Sequence, residues 1–121
     1  MNDKEIEQEI QAKGLIAPRV TPTDIESNIS GEYYINAGKA VQADMSDQDE
    51  LTRLTGAHST LDLLTFCVLV LRNGFSVTGE SACASPENFD AEVGRKIARQ
   101  NAVQKIWPLM GYSLKEKLSK S

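Results

Sequence analysis

Apolar and polar positions are most regularly patterned in the second half of the chain. Leu63 to Leu71 (LLTFCVLVL) is almost wholly apolar, Phe75 to Ser81 alternates, and beyond Ser85 apolar residues return at helical spacing. A near-continuous apolar run, an Asn73-Gly74 pair and an alternating run predict a β-hairpin with strands over 63–71 and 75–81. Ser85 as N-cap, Pro86 at the first helical position and Glu87 near the positive end of the helix dipole predict a helix over 86–107. Its apolar stripe is Phe89, Val93 and Ile97, continued by Ala98, Ala102 and Ile106, and it is expected to pack on the hairpin. Gly94 costs a helix about 1 kcal/mol relative to Ala, which close approach of a strand near Gly79 would justify. Pro108 and Gly111 are expected to end or kink the helix, leaving a short tail helix over 112–118.

With Asn73 and Gly74 as a two-residue type I′ turn, Arg72 faces Phe75, Val70 faces Val77 and Val68 faces Gly79. One sheet face then carries Leu64, Phe66, Val68, Val70, Phe75 and Val77, apolar on both strands and suited to the helix. The other sets Leu63, Leu69 and Leu71 beside Ser76, Thr78 and Glu80. A strand apolar on both faces belongs in the interior of a sheet, so its second edge needs a partner. The extended segment around Tyr33 to Ile35 is the favoured one, with the same strand of a second subunit kept open.

Upstream, residues 3–13 form a charged helix with Ile6 and Ile10 on one stripe, ended by Gly14. GLIAPRVTP is a proline-containing strap. Thr21, Pro22 and Asp24 open a short helix burying Ile25 and Ile29, and a further short helix is expected over 47–54, with loop from Gly56 to Thr60. The reading is an α+β fold: a small antiparallel sheet built on the hairpin, packed against a long C-terminal amphipathic helix, with short N-terminal helices. Residues 1–20 are the charged helix and strap, and 21–121 a single domain.

At 121 residues the chain has the length of one domain. Its net charge of −4 is unevenly spread: 4 Lys/Arg against 11 Asp/Glu in residues 1–50, balance in 51–85, and 7 against 4 in 86–121. The longest apolar run is far short of the roughly 20 residues of a membrane span, and the acidic N-terminus has no leader pattern, so a cytoplasmic protein without membrane association is expected. Cys67 and Cys83 are too few for a disulfide framework and lack metal-site spacing. No cofactor motif is present.

The block LLTFCVLVLRNGFSVTGESACASPENFDAEVGRKIARQNAVQKIWPLMGY resembles the small tailed-phage proteins catalogued as gene product 49 of a coliphage and gene 66 of a Shigella phage. NGF, SAC, SPENFD, GRKIA and the closing W-P-L-x-G-Y carry the resemblance in fixed order, and GLIAPRVTPTDIESNI resembles the leader of longer members. The resemblance implies a phage or prophage origin and expression in the cytoplasm of a bacterial host. It implies no activity, and brings no catalytic or binding residues to transfer.

Candidate chemistry is sparse. Cys83, before the helix N-terminus, has His58 as its sole histidine partner for a nucleophile–base pair. Structural roles are favoured for both cysteines. The Ser81 to Ser85 turn resembles an anion cradle, but Glu80, Glu87 and Asp90 would repel phosphate. The expected function is therefore that of a non-enzymatic accessory protein binding a host or phage protein through the mixed sheet face of Leu69, Leu71, Thr78 and Glu80. The alternatives are nucleic-acid association through Arg95, Lys96, Arg99 and Lys105, and sequestration of a small signalling nucleotide, which no residue specifically supports.

Overall fold

The computed structural model describes residues 2–15, 17–44 and 59–121. Helix α1 (Asp3–Ala12) leads through the strap to α2 (Pro22–Ser27), strand β1 (Ile29–Asn36) and α3 (Ala37–Asp44). A 3₁₀ turn (Ser59–Leu63) precedes β2 (Leu64–Leu71) and β3 (Ser76–Ala82), and a second 3₁₀ turn (Pro86–Asn88) precedes α4 (Ala91–Ser119). The sheet is antiparallel in the order β1-β2-β3. The apolar strand is central, and the segment around Tyr33 is its second neighbour. The helix expected over 47–54, His58 and part of the Gly56 to Thr60 loop lie outside the described residues.

Local chemistry sets the boundaries. Asn2 and Glu5 form a capping box on α1, and Gly14 ends the turn after it at φ +68°, where a Cβ would be strained. Thr21 and Asp24 cap α2 reciprocally, the Asp24 amide on Thr21 Oγ1 at 3.1 Å and the Thr21 amide on Asp24 Oδ2 at 2.9 Å. Ile25 is buried as expected, whereas Ile29 opens β1. Asn36 ends β1 by accepting the Lys39 amide at 3.1 Å, so α3 follows without a loop.

The hairpin turn differs from the two-residue expectation. Leu71 donates to the Phe75 carbonyl at 2.8 Å and accepts from the Gly74 amide at 2.9 Å, which makes Arg72-Asn73-Gly74 a three-residue loop. Gly74 takes φ +89° while Asn73 stays at negative φ, so a type I′ turn, which needs both positive, is not formed. The Arg72 amide is held instead by the Asn28 carbonyl at 3.0 Å, at the far side of β2. The register moves by one residue: Leu69 pairs with Val77, Val68 with Thr78 and Cys67 with Gly79.

That shift reassigns the faces. The helix side of β2 carries Thr65, Cys67, Leu69 and Leu71, all buried, with Val77 and Gly79 of β3. Leu64, Phe66, Val68 and Val70, expected under the helix, lie on the opposite face and are half-buried. The cause is Gly79: a Cβ there would stand 2.2 Å from both the Ala98 carbonyl oxygen and the Ala102 amide nitrogen. The helix backbone fills the space a side chain would occupy, so it can pack only on the face that Gly79 presents.

The buried stripe of α4 is accordingly Gly94, Ala98, Ala102 and Ile106. Gly94 faces Thr65, with Oγ1 3.3 Å from where its Cβ would be, while Val93 (50% exposed) and Ile97 (43%) flank the buried stripe. The core joins Ile25, Cys67, Leu69, Leu71, Val77, Ala98, Ala102 and Ile106. Pro86 opens only a 3₁₀ turn. Asp90 caps α4, accepting the Val93 amide at 3.0 Å. Pro108 does not end the helix, which runs on to Ser119: Pro108 and Gln104 are both exposed, so the carbonyl deprived of its partner meets water. At the other end, Trp107 Nε1 donates to Asp3 Oδ2 at 3.0 Å, and Arg19 Nη2 donates to Glu7 Oε2 at 2.8 Å. These bonds tie α1 and the strap to the domain, although α1 buries no residue.

Candidate binding surface

The face of the sheet opposite α4, uncovered among the described residues, is built by alternation. Pairing of Tyr33 with Val68 and Ile35 with Phe66, and of Val68 with Thr78 and Phe66 with Glu80, sets these side chains on one side, opposite α4. Tyr33 is 60% exposed and Ile35 42%; Phe66, Val68, Val70 and Thr78 are half-buried. The result is a contiguous apolar strip across β1 and β2, bordered on β3 by Ser76, Thr78 and Glu80.

The proposed surface of Leu69, Leu71, Thr78 and Glu80 is thus split. Leu69 and Leu71 are buried beneath α4 and offer nothing to a partner, because the hairpin register puts them on the Gly79 side. Thr78 and Glu80 remain accessible, but beside Val68 and Phe66. A readable signal for this face existed in the sequence: Gly79 together with Ala98 and Ala102 is a set of small residues suited to close backbone approach.

The four candidate nucleic-acid contacts point in different directions. At about 100° per residue, Arg95 and Arg99 flank the buried stripe on the β1 side, Lys105 flanks it on the β3 side and Lys96 faces outward. Three of them already meet carboxylates. Arg99 Nε donates to Glu32 at 2.8 Å and Nη2 to Glu26 at 2.9 Å, Lys96 lies 3.5 Å from Glu92 and Lys105 4.0 Å from Glu80. Tyr34 completes the Arg99 cluster, its hydroxyl donating to Glu32 at 2.6 Å. The Tyr34 hydroxyl and the Arg99 guanidinium hold the Glu32 carboxyl below its usual range. Burial and the Glu32 carboxylate push the Tyr34 hydroxyl up, and the Glu26 and Glu32 carboxylates raise Arg99.

Beside this cluster, at the outer end of β1, a hollow of about 520 Å³ is lined by Tyr34, Asn36, Lys39, Asp62, Phe89 and Arg95. Lys39 and Arg95 have no ion-pair partner among the described residues.

Cys67 is buried in the core, and burial raises its thiol. Cys83 is half-buried and its Sγ donates to the Ser85 carbonyl at 3.1 Å. Its candidate partner His58 lies outside the described residues. At the Ser81 to Ser85 turn, Ser85 Oγ donates to Glu87, so a carboxylate stands where an anion would approach. Among the described residues no group of three or more His, Cys, Asp or Glu is placed to hold a metal, and no helix is long and apolar enough to cross a membrane.

The chain matches the model of the phage protein (N4 Gp49/phage Sf6 gene 66) family over residues 20–118 and belongs to that family. The match begins where the strap ends, leaving α1 outside it. No curated protein and no solved structure matches the chain.

Proposed function

We propose that this member of the phage Gp49/gene 66 family is a non-enzymatic accessory protein that binds a protein of the bacterial host or of the phage, in the host cytoplasm, through the uncovered face of its sheet. The carrying observation is the apolar strip of Tyr33, Ile35, Phe66, Val68 and Val70 opposite the helix-covered face. Contiguous exposed apolar surface of this kind marks interaction sites in soluble proteins, and its border of Ser76 and Glu80 resembles the polar rim of a protein interface. A protein partner is favoured over nucleic acid because Arg95, Lys96, Arg99 and Lys105 diverge and three of them have carboxylate neighbours in the fold.

The test compares tagged wild-type protein with a Val68→Glu/Ile35→Glu variant in infected cells. The expected result is a defined partner recovered with the wild type and lost with the variant, while circular dichroism shows the variant folded. Equal recovery by both proteins would overturn the reading. A low-salt gel shift with single- and double-stranded probes is expected to show no complex, and salt-sensitive binding would move the assignment to nucleic acid.

A further inference from the structure

A strand with one neighbour leaves alternate N–H and C=O groups unpaired along its free edge. The order β1-β2-β3 has two such edges, and they are treated differently. On β3, Asn101 Nδ2 of α4 donates to the Glu80 carbonyl at 2.8 Å, so a side chain already caps the middle of that edge.

Among the described residues, none pairs with the free edge of β1. Leu71 donates to the Phe75 carbonyl and Cys83 to the Leu63 carbonyl, so odd-numbered residues of β2 direct their polar backbone groups to β3 and even-numbered ones to β1. Phe66, Val68 and Val70 therefore bond the backbone of Ile35, Tyr33 and Gly31. The N–H and C=O groups of Glu32 and Tyr34 point outward, and residues 32–35 are exposed in succession. A charge on an edge usually deters pairing, but the Glu32 carboxylate is drawn to the helix side by Arg99.

We propose that β1 pairs antiparallel with β1 of a second copy, with the two-fold axis at Tyr34, joining the two three-stranded sheets into one. An axis at Glu32 would oppose like charges, and an axis at Tyr33 would set Ile35 against Gly31. The axis at Tyr34 places Tyr33 against Ile35 of the second copy on the uncovered face, and Tyr34 against Tyr34 on the helix side. It also places Glu32 of the second copy opposite Asn36, beside Lys39 and Arg95 in the hollow at that end. The lining of that hollow sets two cations, Lys39 and Arg95, against the carboxylate of Asp62, and the second copy's Glu32 would balance them.

The size of the contact sets its strength. Exposures of 60% for Tyr33, 36% for Tyr34 and 42% for Ile35, at about 200 Å² for each side chain, give about 280 Å² per copy. A standard interface buries about 800 Å² per partner. The contact is well below that size, so the pairing is a weak and reversible one. This inference goes beyond the proposed function, which needs no second copy, and it is read with purified protein alone.

Sedimentation velocity from about 1 to 300 μM is expected to show a shift from the 13.3 kDa chain to twice that mass. Tyr34→Pro removes an N–H that serves only the free edge, and it should weaken the dimer at least tenfold. Tyr33→Lys/Ile35→Lys should do the same should the proline variant fail to fold, and Asn101→Ala, on the other edge, should not. In a C83S background, Y33C/I35C should form a covalent dimer under mild oxidation and Y33C alone should not. A monomer across the whole range, a dimer indifferent to Tyr34→Pro and Tyr33→Lys/Ile35→Lys, or cross-linking of Y33C alone would each overturn the proposal.

Discussion

Gly79 lies against Ala102 so closely that a Cβ at position 79 would come within 2.2 Å of the Ala102 amide nitrogen. The obstacle is helix backbone rather than a flexible side chain, so it cannot swing aside. Gly79→Ala is expected to destabilise the protein by about 3 kcal/mol or more, at the upper end of overpacking effects, read from urea midpoints. Gly111, with nothing within 4 Å of a Cβ, is the control. Gly111→Ala should raise stability by roughly 0.5–1 kcal/mol through helix propensity.

The face assignment makes adjacent residues of β2 unequal. Leu69→Ala, in the core, should cost about 2–5 kcal/mol. Val68→Thr, on the uncovered face, should cost less than about 1 kcal/mol. Thermal or urea unfolding of the pair decides the matter, and the reverse ranking would place the helix on the wrong side.

Acid sensitivity should trace to the cluster that joins β1, α2 and α4. Glu32 has a lowered carboxyl pKa in the fold, first through the Tyr34 hydroxyl and then through Arg99. Its contribution is therefore present above the unfolded carboxylate value of about 4.3 and is lost as pH falls through the lower folded value. Glu32→Gln should flatten the stability–pH curve below about pH 4.5 and leave its slope near neutrality unchanged. An unaltered acid limb would show that the cluster carries no linkage.

Helix α1 buries no residue and is held by polar bonds to Trp107 and Arg19. Removal of residues 1–13 is expected to leave a cooperatively folding domain, weaker by about 1–2 kcal/mol. Hydrogen exchange of the intact chain should show the amides of α1 opening far more readily than those of α4 between Ala98 and Ile106. Equal protection of both would contradict the peripheral place of α1.

Much of the fold was legible because its signals are local. The Thr21-Pro22-Thr23-Asp24 cap, the stop at Gly14 and the two strands of the hairpin all depend on chemistry within a few residues. The central place of β2 followed from its double-sided apolarity. The errors arose where distant groups compete. Asn73-Gly74 favours a two-residue turn in isolation, but Asn28, forty-four residues before Arg72, takes the Arg72 amide and leaves a three-residue loop. Val93 and Ile97 are the more apolar positions of the helix, yet Gly94, Ala98 and Ala102 are buried, Gly94 against Thr65 and the two alanines because small residues admit the strand backbone at Gly79.

The candidate surface shows the same division. Its residue types were visible in the sequence, but a side-chain period of two means that a single step of register exchanges the two faces of a hairpin. That step moved Leu69 and Leu71 from surface to core and brought Phe66, Val68 and Val70 to the open side. The sequence by itself determined which segments are strands and helices, because caps, turns and apolar runs act over short range. Only the tertiary structure decided which face meets the helix and which remains open, because that choice rests on the approach of α4 to Gly79, a contact between residues far apart in the chain.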